Sequence, residues 1–185
     1  SGTFTHSSGT VTFSPKDSSY QVVTNGTGTG KDFYDVIKTG KNKTLKMNGD
    51  MQVNDLTLRS GILNVNGNDL YVKGDYTQNG SQRREVTRKN YSTSVIFNGT
   101  DNQTIIAEDS PGTWPSFENL TIANTSGIVS FSNLTVGIEK TLTINSGATL
   151  DISGLNMTAV TLVNNGTLQL EGDETVTITN KDTNS

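Results

Sequence analysis

Apolar residues recur along this chain in short triplets with one polar residue at the centre: Leu120-Thr121-Ile122, Leu134-Thr135-Val136, Leu142-Thr143-Ile144, Leu150-Asp151-Ile152, Leu168-Gln169-Leu170 and Val176-Thr177-Ile178. Successive side chains of a strand point to opposite faces, so each triplet predicts a minimal strand with two residues in and one out. Between the triplets stand Asn145-Ser146-Gly147, Ser153-Gly154, Asn165-Gly166 and Gly172-Asp173. These residue types accept the left-handed backbone that tight corners need. The pattern predicts a core containing Leu142, Ile144, Leu150, Ile152, Leu168 and Leu170, with Thr143, Asp151 and Gln169 facing solvent.

The segments also resemble one another at long range. GTVTF at 9–13 is matched by TSVIF at 93–97, and DFYDVI at 32–37 by SFENLT at 116–121, both 84 residues on. YQVV at 20–23 answers QTII at 103–106, and DLTLRSG at 55–61 answers TLTINSG at 141–147. An antiparallel sandwich has no need of such recurrence, whereas stacked coils bring like residues into register roughly every 4.8 Å. The expected fold is therefore all-β: a right-handed parallel β-helix, or β-solenoid, of about eight coils with three short strands per coil, a rod roughly 40 Å long. Residues 1–185 are expected to form a single domain with internal repeats at about 9–92 and 93–178. Val11–Phe13 and Val95–Phe97 are then expected on equivalent rungs about four coils apart, with Phe13 and Phe97 pointing inward.

Composition sharpens this picture. The 185 residues include 29 Thr, 20 Asn, 19 Gly and 18 Ser against only 3 Pro, and 31% are hydrophobic. That is too polar for a helical bundle and suits short strands joined by turns. Disorder is the rival for so polar a chain, but regularly spaced apolar triplets argue for a buried face. No apolar run is long enough to cross a membrane, so no membrane insertion is expected of this piece. Absence of cysteine fits an extracellular protein that does not rely on disulfides. The net charge of −4 divides unevenly: residues 1–92 carry 12 Lys or Arg and 8 acids, residues 93–185 carry 2 and 10. A basic stripe for nucleic acid is not expected.

GTFTHSSGTVTF at 2–13, FYDVI, MQVNDLTLRSGILNVNGNDLYVKGDYTQNG at 51–80, VIFNGTDNQTI and FENLTIANTSGIVSF are similar to parallel β-helix, haemagglutinin-like or adhesin-like repeats of very large secreted or surface-displayed bacterial and archaeal proteins. The resemblance spans about residues 2–170. Residues 81–94, SQRREVTRKNYSTS, depart from it with a charged insertion. It implies an extracellular or cell-surface location and a structural or adhesive role, a stiff spacer or weak multivalent binder. The chain opens in mid-unit and its end, GDETVTITN, lacks a polar cap, so it is expected to be a fragment of a longer repeat protein and to associate end to end through uncapped solenoid ends.

Candidate chemistry is sparse, and no enzymatic activity or cofactor is expected. The single histidine, His6, has neighbouring serines but no evident orienting carboxylate. One histidine and no cysteine exclude the usual zinc sites. The densest acids, Glu108-Asp109 and Glu171, Asp173 and Glu174, lie near turns, where solvated carboxylates are ordinary. Asn66-Gly67-Asn68-Asp69-Leu70 has the composition of one calcium-binding nonapeptide, yet such sites need stacked copies and the plain reading is a corner. Eleven N-x-S/T triplets follow from abundant Asn corners beside Thr strands and do not by themselves establish glycosylation. Two insertions remain as candidate contact surfaces. Trp114, in EDSPGTWPSF at 108–117, offers a ring for a sugar, or packs over its loop base beside Pro111, Pro115 and Phe117. Arg83, Arg84, Arg88 and Lys89 offer charge to an acidic polysaccharide or another surface protein, or form a solvated loop with Glu85. The alternative functions are a carbohydrate-active β-helix, tailspike-like or lyase-like, and an ice-binding β-solenoid built on outward threonines.

Overall fold

A computed structural model describes residues 7–16, 19–22, 32–79, 93–108, 116–133 and 135–180. The described residues contain strands and turns but no helix. In chain order the strands are β1 (Thr10–Phe13), β2 (Ser19–Val22), β3 (Phe33–Lys38), β4 (Thr44–Met47), β5 (Met51–Leu58), β6 (Ile62–Asn64), β7 (Leu70–Val72), β8 (Tyr76–Asn79) and β9 (Ser94–Phe97). They continue with β10 (Gln103–Glu108), β11 (Ser116–Ile122), β12 (Ile128–Ser132), β13 (Val136–Ile144), β14 (Thr149–Asp151), β15 (Met157–Asn164), β16 (Thr167–Gln169) and β17 (Val176–Ile178).

Every pairing among them is parallel and joins one turn of the chain to the next, which makes the fold a β-solenoid. Three sides can be followed. Side A stacks Met51–Val53 of β5, then β7, β9, Asn119–Ile122 of β11, Thr141–Ile144 of β13 and Thr161–Asn164 of β15. Side B runs through β1, β3, Leu56–Leu58 of β5, β8, β10, β12, β14 and β16. Side C comes after side B in each turn: β2, β4 and β6 early in the chain, and the leading halves of β11, β13 and β15 followed by β17 late in it. The described residues complete about six turns with all three sides, slightly fewer than eight. They begin at β3, β5, β9, β11, β13 and β15. The turns of β1–β2 and β7–β8 are described on two sides.

Strand alternation builds the core as the triplets predict. Leu142, Ile144, Leu150 and Ile152 are each 0% exposed, and Gln169 faces solvent, with Thr143 and Asp151 partly exposed on the outer face. Side A stacks Leu70, Val95, Leu120 and Leu142, and beside them Val72, Phe97, Ile122 and Ile144. Side B stacks Val36, Leu56, Tyr76, Ile105 and Phe131. Tyr76 meets Phe117 edge-on at 5.5 Å between ring centroids, an arrangement favoured by the ring quadrupoles. Two expected core residues lie on the last side B rung and behave differently. Leu168 is only half-buried, and Leu170 is 51% exposed, because no described turn stacks beyond them.

The long self-match is not a stack of equivalent rungs. Val11 aligns with Val36 on side B, and Val95 with Leu70 and Leu120 on side A. Four turns from Val11 along side B the chain reaches Ile105, ten residues beyond Val95. The 84-residue interval is therefore four turns less one side, and similar strands occupy different sides. Phe97 is fully buried, while Phe13 packs half-buried against the core with its ring edge-on to Phe33.

Corners are fixed by backbone that side chains would obstruct. A Cβ on Gly61, where φ is +80°, would stand 2.3 Å from the Gly40 carbonyl oxygen and 2.4 Å from that of Lys43. A Cβ on Gly166 would stand 2.4 Å from the carbonyl oxygens of both Asn145 and Ala148. Rungs about 4.8 Å apart leave no room for it.

Candidate functional site

The two insertions singled out in the sequence, residues 81–92 with Arg83, Arg84, Arg88 and Lys89, and 109–115 with Trp114, lie outside the described residues, as does His6. The residues that flank them in sequence are described. β8 ends at Asn79 and β10 at Glu108, and these two residues are direct partners on adjacent rungs of side B. Thr93 stands just before β9 and Ser116 is the first residue of β11, whose residues Asn119–Ile122 pair with β9. Asn79 and Glu108, 29 positions apart in sequence, are thus neighbours on side B.

A buried polar cluster centres on Glu118. Glu118 is 2% exposed and sits where the β11–β13 register shifts, at the corner between sides C and A. One carboxylate oxygen accepts a hydrogen bond from Thr93 Oγ1 at 3.1 Å, and the other is ion-paired with Lys140 on the next turn. Asn119 Nδ2 donates to the Thr93 carbonyl at 2.9 Å. A carboxylate can be buried only with such partners, so this corner is a structural clamp across three turns, tying Thr93 to β11 and β13.

A second network lies at the corner between sides A and B. Gln103 and Asn124 are both 0% exposed. Gln103 Nε2 donates to the carbonyls of Val72 and Gly74, and its Oε1 accepts from Gly99 N and Asn124 Nδ2. Asn124 Nδ2 also donates to the Asp101 carbonyl, and its Oδ1 accepts from Ser126 N and Gly127 N. Three successive corners are stitched together, and the backbone groups they would otherwise orphan are satisfied. This also removes the Asn124 triplet from the pool of accessible sequons, whereas Asn42, Asn133 and Asn165 are exposed.

The outer face of side B carries a ladder of acids on consecutive turns, Asp35, Asp55 and Asp75. Asp55 Oδ1 accepts from Asp75 N at 2.8 Å, and Asp75 Oδ1 from Thr104 N at 2.7 Å, so these two carboxylates are engaged with the following turn, while Asp35 Oδ2 accepts from Thr10 Oγ1 on the preceding one. Partial burial pushes the Asp55 carboxyl up; the Asp75 N–H bond opposes this, and the charges of Asp35 and Asp75 add to the rise. No group of three His, Cys, Asp or Glu able to hold a metal ion occurs among the described residues. Asn66-Gly67 is a corner as read: both have positive φ, Asn68 Nδ2 donates to the carbonyls of Val65 and Asn66, and Asp69 Oδ1 accepts from Ser94 N. Glu174 caps the turn at Gly172 by accepting from Glu171 N and Gly172 N. Its carboxyl is held below the usual range by backbone N–H groups of its own turn, its own first among them.

Outward threonines do stack, Thr121 on Thr143 and Thr141 on Thr161. Ile96 and Val163 bound the first row and Asn119 the second, so neither is a long uniform array. Lys38 escaped sequence reasoning altogether: it is 0% exposed in an inward position of side B, between Phe13 and Leu58. Its signal was present in the alternation Val36-Ile37-Lys38, which places Lys38 on the same face as Val36.

No family model, curated protein or solved structure matches the chain. No helix among the described residues is long and apolar enough to cross a membrane.

Proposed function

We propose that this chain is a structural and adhesive module of a secreted or cell-surface protein, a haemagglutinin-like or adhesin-like repeat segment that serves as a stiff spacer and presents its insertions for weak, multivalent contact. The observation that supports this reading is the pairing of Asn79 with Glu108. Asn79 and Glu108, the last described residues before the sequence segments that carry Arg83, Arg84, Arg88 and Lys89 and Trp114, are direct partners on adjacent rungs. An aromatic residue and several cations, in segments that follow two paired residues, suit an acidic glycan, which offers both a ring face and carboxylate or sulfate groups. On side B, Asp55 and Asp75 each commit one carboxylate oxygen to a backbone N–H of the following turn, which favours a spacer over a polysaccharide-cleaving solenoid. Weak contact from one module becomes avidity when modules repeat along a rod.

The test is a glycan-binding screen with the wild type, Trp114→Ala and the combined Arg83→Ala, Arg84→Ala variant. Binding of acidic glycans that both changes abolish, at unchanged melting temperature, supports the reading. Depolymerisation of any glycan by the wild type, or binding that neither change weakens, overturns it.

A further inference from the structure

We infer that the corner between sides B and C is a contact for a linear acidic polysaccharide, made by the rod itself. Charge is sorted by side in the first turns. Residues 7–79 include seven described Lys and Arg; Lys38 is buried, Lys73 pairs with Asp32, and the other five stand together. Lys16 lies at this corner after β1, Lys41 and Lys43 between β3 and β4, and Arg59 between β5 and β6. Lys46 follows on side C, facing outward between the buried Leu45 and Met47. The six described aspartates of the same stretch lie elsewhere. Asp50 and Asp69 precede side A, Asp32 accepts from Gln52 of side A, and Asp35, Asp55 and Asp75 stand where side B begins. In a three-sided coil the corner between sides B and C is the one opposite side A.

Backbone bonds hold these cations on adjoining turns: Thr39 N donates to the Phe13 carbonyl at 2.8 Å, and Arg59 N to the Lys38 carbonyl at 2.9 Å. Lys16, Lys41 and Arg59 are exposed, and Lys43 and Lys46 partly so. None of the five makes an ion pair among the described residues; Asp17, next to Lys16 in sequence, lies outside them. Like charges on neighbouring strands repel, and no described carboxylate relieves them at this corner. Turns about 4.8 Å apart set the five cations in a track along the rod. Such a track suits an extended chain with repeating carboxylate or sulfate groups, which ammonium and guanidinium groups bind through charge-assisted hydrogen bonds. A nucleic-acid strand also carries a row of charge, but its binding sites add aromatic platforms for the bases. No Phe, Tyr or Trp occurs at residues 14–16, 39–43 or 59–61. The formal net charge of −4 gives the whole molecule no general attraction for polyanions, so binding depends on this local track. The inference rests on the described corner and not on Trp114 or the basic insertion, and either reading can fail without the other.

Calorimetric titration with heparin as the sulfated probe and polygalacturonate as the carboxylated one tests this. The proteins are the wild type, the combined Lys41→Ser, Lys46→Ser, Arg59→Ser variant, and the combined Arg83→Ala, Arg84→Ala variant. The wild type should bind at least one probe at low salt and lose it as salt rises. The triple change should weaken binding at least about tenfold at unchanged melting temperature, and replacing Lys41 and Lys46 by Arg should preserve it. A second measurement uses the wild type alone, so it does not depend on a variant folding. Acetylation of Lys16, Lys41, Lys43 and Lys46, mapped by mass spectrometry, should slow when the bound probe is present. Lys73 and Lys140, which pair with Asp32 and Glu118, should react at an unchanged rate. Absence of binding at low salt, binding that the triple change leaves intact, or no protection of the corner lysines would each overturn the inference. So would a single-stranded oligonucleotide that binds as tightly as either polysaccharide. Loss confined to the Arg83, Arg84 variant would sink this inference while leaving the insertion reading standing, and loss confined to the triple variant would do the reverse.

Discussion

Replacing Lys38 by methionine is the most direct test of how the interior of this rod is held. Lys38 is 0% exposed, and its Nζ donates to the carbonyls of Thr39 at 2.5 Å and Ser60 at 3.0 Å. Burial pushes the ammonium down from its ordinary 10.5 to about 8. At about 1.4 kcal/mol per pH unit, holding the charged form inside costs the fold about 3 kcal/mol at neutral pH. Methionine keeps the straight apolar stem and removes the charge. It leaves two carbonyls without this donor, at about 1 kcal/mol each, so Lys38→Met should be more stable than wild type by about 1 kcal/mol at neutral pH.

The pH dependence carries the sharper signature. The unfolded chain keeps the Lys38 proton up to about 10.5 and the folded chain only to about 8. Between those values the unfolded state binds more protons, so wild-type stability rises with pH relative to the variant. Below about 8 both states are protonated and the difference is flat. Urea unfolding of both proteins from neutral pH to about pH 10 measures it, and other titrating groups cancel in the difference. A variant less stable than wild type by more than about 2 kcal/mol at neutral pH, or a difference that does not change between pH 8 and 10.5, would refute the reasoning.

Three further changes probe the other buried polar groups. Lys140→Ala leaves the Glu118 carboxylate buried without its ion-pair partner and should cost about 3 kcal/mol in urea unfolding; adding Glu118→Gln should recover part of the loss. Asn124→Ala strips donors or acceptors from Asp101, Gln103, Ser126 and Gly127. It should cost about 3 kcal/mol, and hydrogen exchange should show the corners at 99–103 and 124–127 opening first. Asp55→Asn keeps an oxygen for Asp75 N while removing one charge from the Asp35, Asp55, Asp75 ladder. Because the folded Asp55 carboxyl titrates above its ordinary value, the wild type loses stability as pH rises through that range. The variant should equal or exceed wild type at neutral pH, with the difference shrinking in acid; the opposite trend in an acid titration of stability would exclude it.

What the sequence by itself determined is the alternation. Side chains of a strand change face at every residue, so Leu142, Ile144, Leu150 and Ile152 were legible as core, and frequent Asn and Gly between them as corners. Parallel stacking followed from recurrence, since only stacked coils give similar strands a reason to recur. Which strand stacks on which was decided only by the tertiary structure. The turn length is not constant: Leu150 meets Leu168 after 18 residues and Tyr76 meets Ile105 after 29. A match at 84 residues therefore joins similar strands on different sides. The polar interior was hidden for the same reason. Gln103, Glu118 and Asn124 are buried because corners of neighbouring turns supply partners to them, partners that lie on other turns of the chain. The adjacency of Asn79 and Glu108 is likewise a product of hydrogen bonding between rungs, a pairing that no local pattern of residues encodes.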